Sequence, residues 1–142
     1  MSIKNVGNKD LIKSLISLVY SQLPNGRFDI AFVSDKLSLS PSQLNRRVKG
    51  ITGMTVTAFI MKLRINEAKK LLAKSPKYSI SDVAFSCGFT DPSHLAKTFK
   101  KHTGMTPTEY AHNTSKDDED FESFIRTEIK KASNKRRNES LK

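Results

Sequence analysis

Residues 40–59 and 91–110 carry nearly the same text, 51 positions apart. The first reads SPSQLNRRVKGITGMTVTAF and the second DPSHLAKTFKKHTGMTPTEY. Pro41/Pro92, Ser42/Ser93, Leu44/Leu95, Lys49/Lys100, Thr52/Thr103, Gly53/Gly104, Met54/Met105, Thr55/Thr106 and Thr57/Thr108 are identical pairs. A repeat of this length means that one supersecondary unit was built twice. It also extends upstream with a slip of one: Ile30, Val33, Leu37 and Leu39 match Ile80, Val83, Cys87 and Phe89 at an offset of 50. One residue is therefore inserted before the second main helix, and both helix pairs stay in phase.

Nearly every segment has a helical period, and none shows sustained strand alternation. Leu11, Ile12, Leu15, Ile16, Val19 and Leu23 form the stripe of a first helix, with Asn8 as its expected N-cap and Pro24-Asn25-Gly26 as its stop. A short helix follows over about 29–36. Ser40-Pro41-Ser42-Gln43 opens the next with a cap, a first-turn proline and a capping-box glutamine, and Gly53 ends it. Thr55 caps a long helix to about Ala73, and Lys74–Tyr78 is a connector. Ser79-Ile80-Ser81-Asp82 starts a short helix that ends near Gly88. Asp91-Pro92 starts the second main helix, closed by Gly104, and Thr106-Pro107-Thr108-Glu109 starts a last short one. Each repeat is short helix, turn, capped helix, which is the helix-turn-helix pattern.

The expected fold is all-α, with about seven helices. A first helix-turn-helix subdomain covers 8–54, a linker helix 55–74 and a second subdomain 75–112. A charged tail, 113–142, carries an amphipathic helix over 117–132, where acids 117–120 precede Phe121, Phe124, Ile125 and Ile129 and Lys130-Lys131 follow. Its apolar face is expected to pack on the domain or on a neighbouring chain.

Charge bears on function. The chain has 25 Lys+Arg against 14 Asp+Glu, net +11. Residues 1–113 hold 17 of the basic and 7 of the acidic side chains, so the excess belongs to the repeats rather than the tail. A compact basic domain favours a polyanionic partner, nucleic acid or an acidic membrane surface. The single Cys87 excludes an intramolecular disulfide and fits a reducing compartment. No signal-peptide core and no apolar run near ~18 residues is present, so a cytoplasmic protein is expected, with no membrane partner.

Helix positions turn by about 100° each. On the first main helix Leu44, Val48 and Ile51 point inward. Ser42, Arg46 and Lys49 point outward, flanked by Gln43 and Asn45, with Arg47 nearer the core edge. On the second, Leu95 and Phe99 point inward and Ser93, Lys97 and Lys100 outward, flanked by His94, Ala96 and Lys101. Short polar residues in a first helical turn can approach base edges, and longer cations reach guanines or phosphates. The base-reading candidates are therefore Ser42, Gln43, Asn45, Arg46, Ser93, His94 and Lys97, and the phosphate candidates Arg47, Lys49, Lys100 and Lys101. One such helix could be an ordinary solvated face. Two copies of the same polarity in a basic domain weigh against that. The helix from Thr55 to Ala73 is roughly 28 Å long at 1.5 Å per residue, and major grooves recur on one side of B-DNA every ~34 Å.

These residues resemble the AraC/XylS family of bacterial transcription regulators. The resemblance runs through Arg64-Ile65, Ala68 and Leu72, then Ile80, Val83-Ala84 and Gly88-Phe89. It ends with Leu95, Phe99-Lys100-Lys101, Gly104-Met105-Thr106-Pro107 and Tyr110. It covers about residues 8–112, and Leu44–Gly53 is similar to the output domains of Bacteroidetes-type hybrid two-component regulators. The resemblance implies two helix-turn-helix units on successive major-groove segments of one promoter site. It places base reading on Ser42, Asn45 and Arg46, and on Pro92, Ser93, His94 and Lys97. It also implies RNA polymerase as a second candidate partner, and a sensing or dimerisation domain that is not visible in this chain.

Other chemistries find little support. His94 and His102 lie eight apart with no carboxylate pair or cysteine partner, so no metal site is expected. Cys87 stands where the first repeat has Leu37, an apolar position. No base is placed beside Ser42 or Ser93, and no phosphate-cradling glycine loop occurs. No enzyme activity and no cofactor are expected. A protein-interaction module, with DNA binding incidental, is the competing reading.

Overall fold

The computed structural model describes residues 7–25, 29–74, 77–113, 126–127 and 129–130. Among them seven helices form and no strand: α1 (Asn8–Ser21), α2 (Ile30–Lys36), α3 (Pro41–Thr52), α4 (Val56–Leu72), α5 (Ile80–Ser86), α6 (Pro92–Thr103) and α7 (Pro107–Asn113). Residues 126–127 and 129–130 are helical, inside the predicted tail helix. The rest of that span lies outside the described residues, as do Gly26 and Pro76.

Helix starts follow the expected chemistry. Ser40 takes the Gln43 amide on its hydroxyl while Gln43 takes the Ser40 amide, a reciprocal box that satisfies two orphan donors. Ser79 and Asp82 repeat it on α5, and Thr106 with Glu109 on α7. Asp91 caps α6 by accepting the His94 amide at 2.8 Å. One expected cap is corrected. The first bond of α1 runs from Leu11 N to Gly7 O, so Gly7 holds the capping position and Asn8 lies inside the first turn. The Asn8 carboxamide oxygen instead accepts from Arg47 Nη2 at 3.4 Å.

The repeated Thr-Gly-Met-Thr has a structural meaning. Thr52 Oγ1 donates to Val48 O and accepts from Met54 N; Thr103 Oγ1 does the same with Phe99 O and Met105 N. Gly53 and Gly104 close α3 and α6 at φ 80 and 82, a left-handed conformation that costs L-residues about 1–2 kcal/mol. Thr55 and Thr106 then cap the following helices. The identical letters thus encode how one helix ends and the next begins.

The described residues form two compact units. The first holds α1, α2, α3 and α4 as far as Ile60. The second holds residues 22–25, α4 from Met61 onward, and α5–α7. The first is built on Leu11, Ile12, Leu15, Val19, Val33, Leu44, Val48, Val56 and Phe59, all buried. The second is built on Ile65, Ala68, Leu72, Val83, Ala84, Cys87, Phe89, Leu95, Phe99 and Tyr110. Phe99 and Tyr110 meet edge to face at 5.3 Å. Full burial of a side chain such as Leu95 or Phe99 contributes about 1.5–3 kcal/mol. α4 serves both units because its buried positions change phase along its length, from Val56, Phe59 and Ile60 to Ile65, Ala68 and Leu72.

Candidate nucleic-acid interface

Each helix-turn-helix turn is built alike up to a single point. Leu39 N bonds to Ser34 O in the first unit and Phe89 N to Ala84 O in the second. Ser34 and Ala84 are buried, as expected for small residues at a helix crossing. In the first unit the chain then passes directly from Leu39 to the cap Ser40. In the second it passes through Thr90 before the cap Asp91, so Thr90 is the inserted residue.

α3 buries Leu44, Val48 and Ile51, and α6 buries Leu95 and Phe99. Ser42, Arg46 and Lys49 are exposed on α3, and Ser93, His94, Lys97, Lys100 and Lys101 on α6. These are the outward faces expected from the helical period, both with short polar residues in the first turn and cations further on. Gln43, Arg46 and Arg47 line a hollow of about 230 Å³ with Leu39.

Four of the site candidates do something in the fold as well. Gln43 gives its carboxamide oxygen to the Ser40 amide at 3.0 Å. Asn45 is half-buried, and its oxygen accepts the Val56 amide at 2.9 Å, satisfying the first backbone donor of α4. Arg47 is half-buried beside Asn8. His94 holds Nδ1 3.3 Å from Thr90 Oγ1, with its ring edge-on to Phe89 at 5.2 Å. The inserted Thr90 thus helps to orient the His94 imidazole.

The fold role of Asn45 has a signal in the repeat. Its counterpart is Ala96, and the counterpart of Val56 is Pro107, which has no amide to satisfy. Where the donor exists the acceptor exists, and where it is missing so is the acceptor.

Arg64 is the residue whose part the helical period does not reveal. Only 6 % exposed, it donates from Nη1 to Gly88 O at 3.1 Å and from Nη2 to Asn25 O at 3.4 Å. It ties the turn before α6 to the segment after α1, within the second unit. Cys87, beside this turn, is fully buried. Burial first, and the Glu67 carboxylate second, push its thiol up to about 12, against the opposing pull of Arg64. A thiol so held is a poor nucleophile. Among the described residues no group of three His, Cys, Asp or Glu could hold a metal ion, and no helix is long and apolar enough to cross a membrane.

Residues 33–113 match a family described as a helix-turn-helix domain. Histidine kinase P4 of Formosa agariphila is 30% identical over 108 residues, 76% of this chain and 8% of that protein. The HTH-type transcriptional activator RhaR of Escherichia coli K12 is 30% identical over 117 residues, 82% of this chain and 41% of that one. The chain therefore spans less than half the length of either relative. Among solved structures, the DNA-binding domain of AdpA, a global transcriptional factor in complex with a target DNA, aligns with a TM-score of 0.65 and 26% identity. That alignment covers 71% of this chain and 89% of the AdpA domain. Matched over more than half its length, and doubled in sequence and structure alike, the chain belongs to the AraC-type helix-turn-helix family.

Proposed function

We propose that this chain regulates transcription by binding double-stranded DNA sequence-specifically, with α3 and α6 entering successive major-groove segments of one asymmetric promoter site. The carrying observation is the doubled face. Two capped helices in repeated helix-turn-helix settings expose Ser42, Arg46 and Lys49, and Ser93, Lys97 and Lys100. On this reading Ser42, Gln43, Arg46, Ser93, His94 and Lys97 approach base edges. Asn45, whose oxygen already accepts the Val56 amide, offers its Nδ2 and one remaining lone pair, and Arg47, Lys49, Lys100 and Lys101 hold phosphates. The comparisons lend support, since RhaR is a transcriptional activator and the AdpA domain was solved on a target DNA.

RNA polymerase is the protein partner such a regulator would meet, in the cytoplasm, and neither catalysis nor a cofactor enters the proposal. No sensing or dimerisation role is assigned to residues 7–113. The test is binding to duplexes selected from random DNA, in competition with excess unselected DNA. Specific sites are typically preferred ~10³–10⁷-fold. Equal binding to selected and unselected duplexes would sink the proposal.

A further inference from the structure

The outward side of α1 differs from the outward faces of α2 and α3. At about 100° per residue, Leu11, Ile12, Leu15, Ile16 and Val19 occupy its buried side. Ser14, Ser17, Leu18 and Ser21 fall opposite, and with Lys13 they line a shallow hollow of about 460 Å³. The corresponding exposed positions are charged on the other two helices, Asp35 and Lys36 on α2 and Arg46 and Lys49 on α3. Three serines and a half-buried leucine make a low surface that a second helix can approach closely. Ser21 Oγ already donates to Leu18 O at 2.7 Å, so an apolar cover would not strand its proton.

A second, independent observation concerns the tail. Residues 126–127 and 129–130 are helical and group with the first unit. Arg126, Thr127 and Lys130 are exposed, whereas Ile129 is half-buried. By the same rotation, the three exposed residues lie opposite Phe121, Phe124 and Ile125 on a helical wheel, and Ile129 lies on the apolar side. Burial along these residues therefore follows the apolar period. We infer that residues 117–132 form one helix that docks Phe121, Phe124, Ile125 and Ile129 on the Ser14, Ser17, Leu18 and Ser21 face of α1, as a further helix of the first unit. The lengths agree: at 1.5 Å per residue α1 is about 21 Å long and the span 117–132 about 24 Å. The inference goes beyond the DNA-binding proposal and does not rest on it, because the covered side of α1 is the one turned away from the core.

The experiment is amide hydrogen exchange followed by NMR on the full chain. Ile129 and Lys130 should exchange about tenfold or more slowly than an unstructured chain, and equally so after about tenfold dilution. Ser17→Arg, at an exposed position, and Leu18→Glu should each remove most of that protection, while the amides of Leu44 and Val48 in the core of the same unit stay protected. Should Leu18→Glu disturb that core, Ile129→Ser leaves α1 and α3 unaltered and asks the same question from the other side. It should release the tail and shift the signals of Ser17 and Leu18. A tail that exchanges freely in the wild type would overturn the inference, as would protection that survives both Ser17→Arg and Leu18→Glu. Protection lost on dilution would overturn it too, by making a second copy the surface on which the tail packs. Site selection from random duplexes tests the DNA-binding proposal separately.

Discussion

Substituting alanine at Gly88 and at Gly104 separates two costs that the same backbone angle would otherwise confound. Both residues lie in the second unit, at φ 85 and φ 82. An alanine at either pays about 1–2 kcal/mol for the left-handed conformation. At Gly104 nothing stands within 4 Å of the added Cβ, so the cost ends there. At Gly88 the Cβ would lie 2.5 Å from the Leu23 carbonyl oxygen and 3.1 Å from Arg64 Cζ. The first obstacle is backbone, and the second is a buried guanidinium whose Nη1 already bonds to Gly88 O. Overpacking of this kind costs about 1–3 kcal/mol, and a hydrogen bond to a charged group contributes about 1.5–3 kcal/mol. Gly88→Ala should therefore lose about 3.5–8 kcal/mol where the hydrogen bond is lost as well, against about 1–2 for Gly104→Ala. Urea unfolding followed by far-UV circular dichroism reads the difference as a shift in midpoint. With slopes of about 1–3 kcal/mol per molar for small proteins, the two midpoints should differ by about 1 M or more. A Gly88→Ala protein that does not fold, beside a folded Gly104→Ala, is the same result at its extreme. Equal midpoints would refute the idea that residues 22–25, Gly88 and Arg64 are clamped together. The first repeat supplies a converse. Ser38 occupies the equivalent turn at φ 58 and is exposed, so Ser38→Gly should gain a few tenths to about 1 kcal/mol by relieving strain.

Three further outcomes are expected. Arg46→Ala should cost about 1–3 kcal/mol at one base position, if its guanidinium forks onto a guanine; a uniform loss on all duplexes, measured by competition, would make it a phosphate anchor instead. Removing Lys49, Lys100 or Lys101 singly should flatten the slope of log K against log salt by nearly one unit each. An unchanged slope for all three would reject the phosphate assignment. The Cys87 thiol is raised from an ordinary 9.0 to about 12 in the fold, so the folded state disfavours its ionisation. The stability tied to it is complete below about pH 9 and is lost as pH rises toward 12. Cys87→Ala should fall less steeply than the wild type over that window, and the wild-type thiol should resist a disulfide reagent at pH 8 until the protein unfolds.

What could be read from the letters was local chemistry. A serine three residues before a glutamine, a proline in a first turn and a glycine after the last apolar position act within one helical turn, so their outcome depends little on the rest of the chain. Ser40, Asp91, Gly53 and Gly104 all stand where that chemistry puts them. Asn8 failed because the capping position went to Gly7 and its side chain met Arg47, 39 positions away. Arg64 was opaque for a similar reason. Between Leu63 and Ile65 a cation reads as the wet edge of an apolar stripe. It is buried because two carbonyls, 24 and 39 positions distant, converge on it. The outward faces of α3 and α6 were legible as directions, since the helical period fixes which side is out. Which atoms on those faces are already engaged was not, because that depends on partners beyond the turn.

The Asn45 case shows how a repeat can recover some of this. Within one copy, an exposed-looking asparagine on a basic helix suggests base reading. Across copies, the pair Asn45 and Val56 becomes Ala96 and Pro107. A proline at a first helical position has no amide hydrogen, so an asparagine opposite it would have nothing to accept. The joint change follows from the 2.9 Å bond between Asn45 and the Val56 amide, and a reading role for Asn45 gives no reason for position 107 to change with it. The contrast with positions 43 and 94 is instructive. There Gln43 reaches back to the Ser40 amide, while His94 engages Thr90, the one residue inserted between the copies. In both repeats the third helical residue is held by the preceding turn through one polar atom and keeps a nitrogen beyond it. What the duplication retained is therefore the restraint on that side chain, and what it varied is the nitrogen-bearing group.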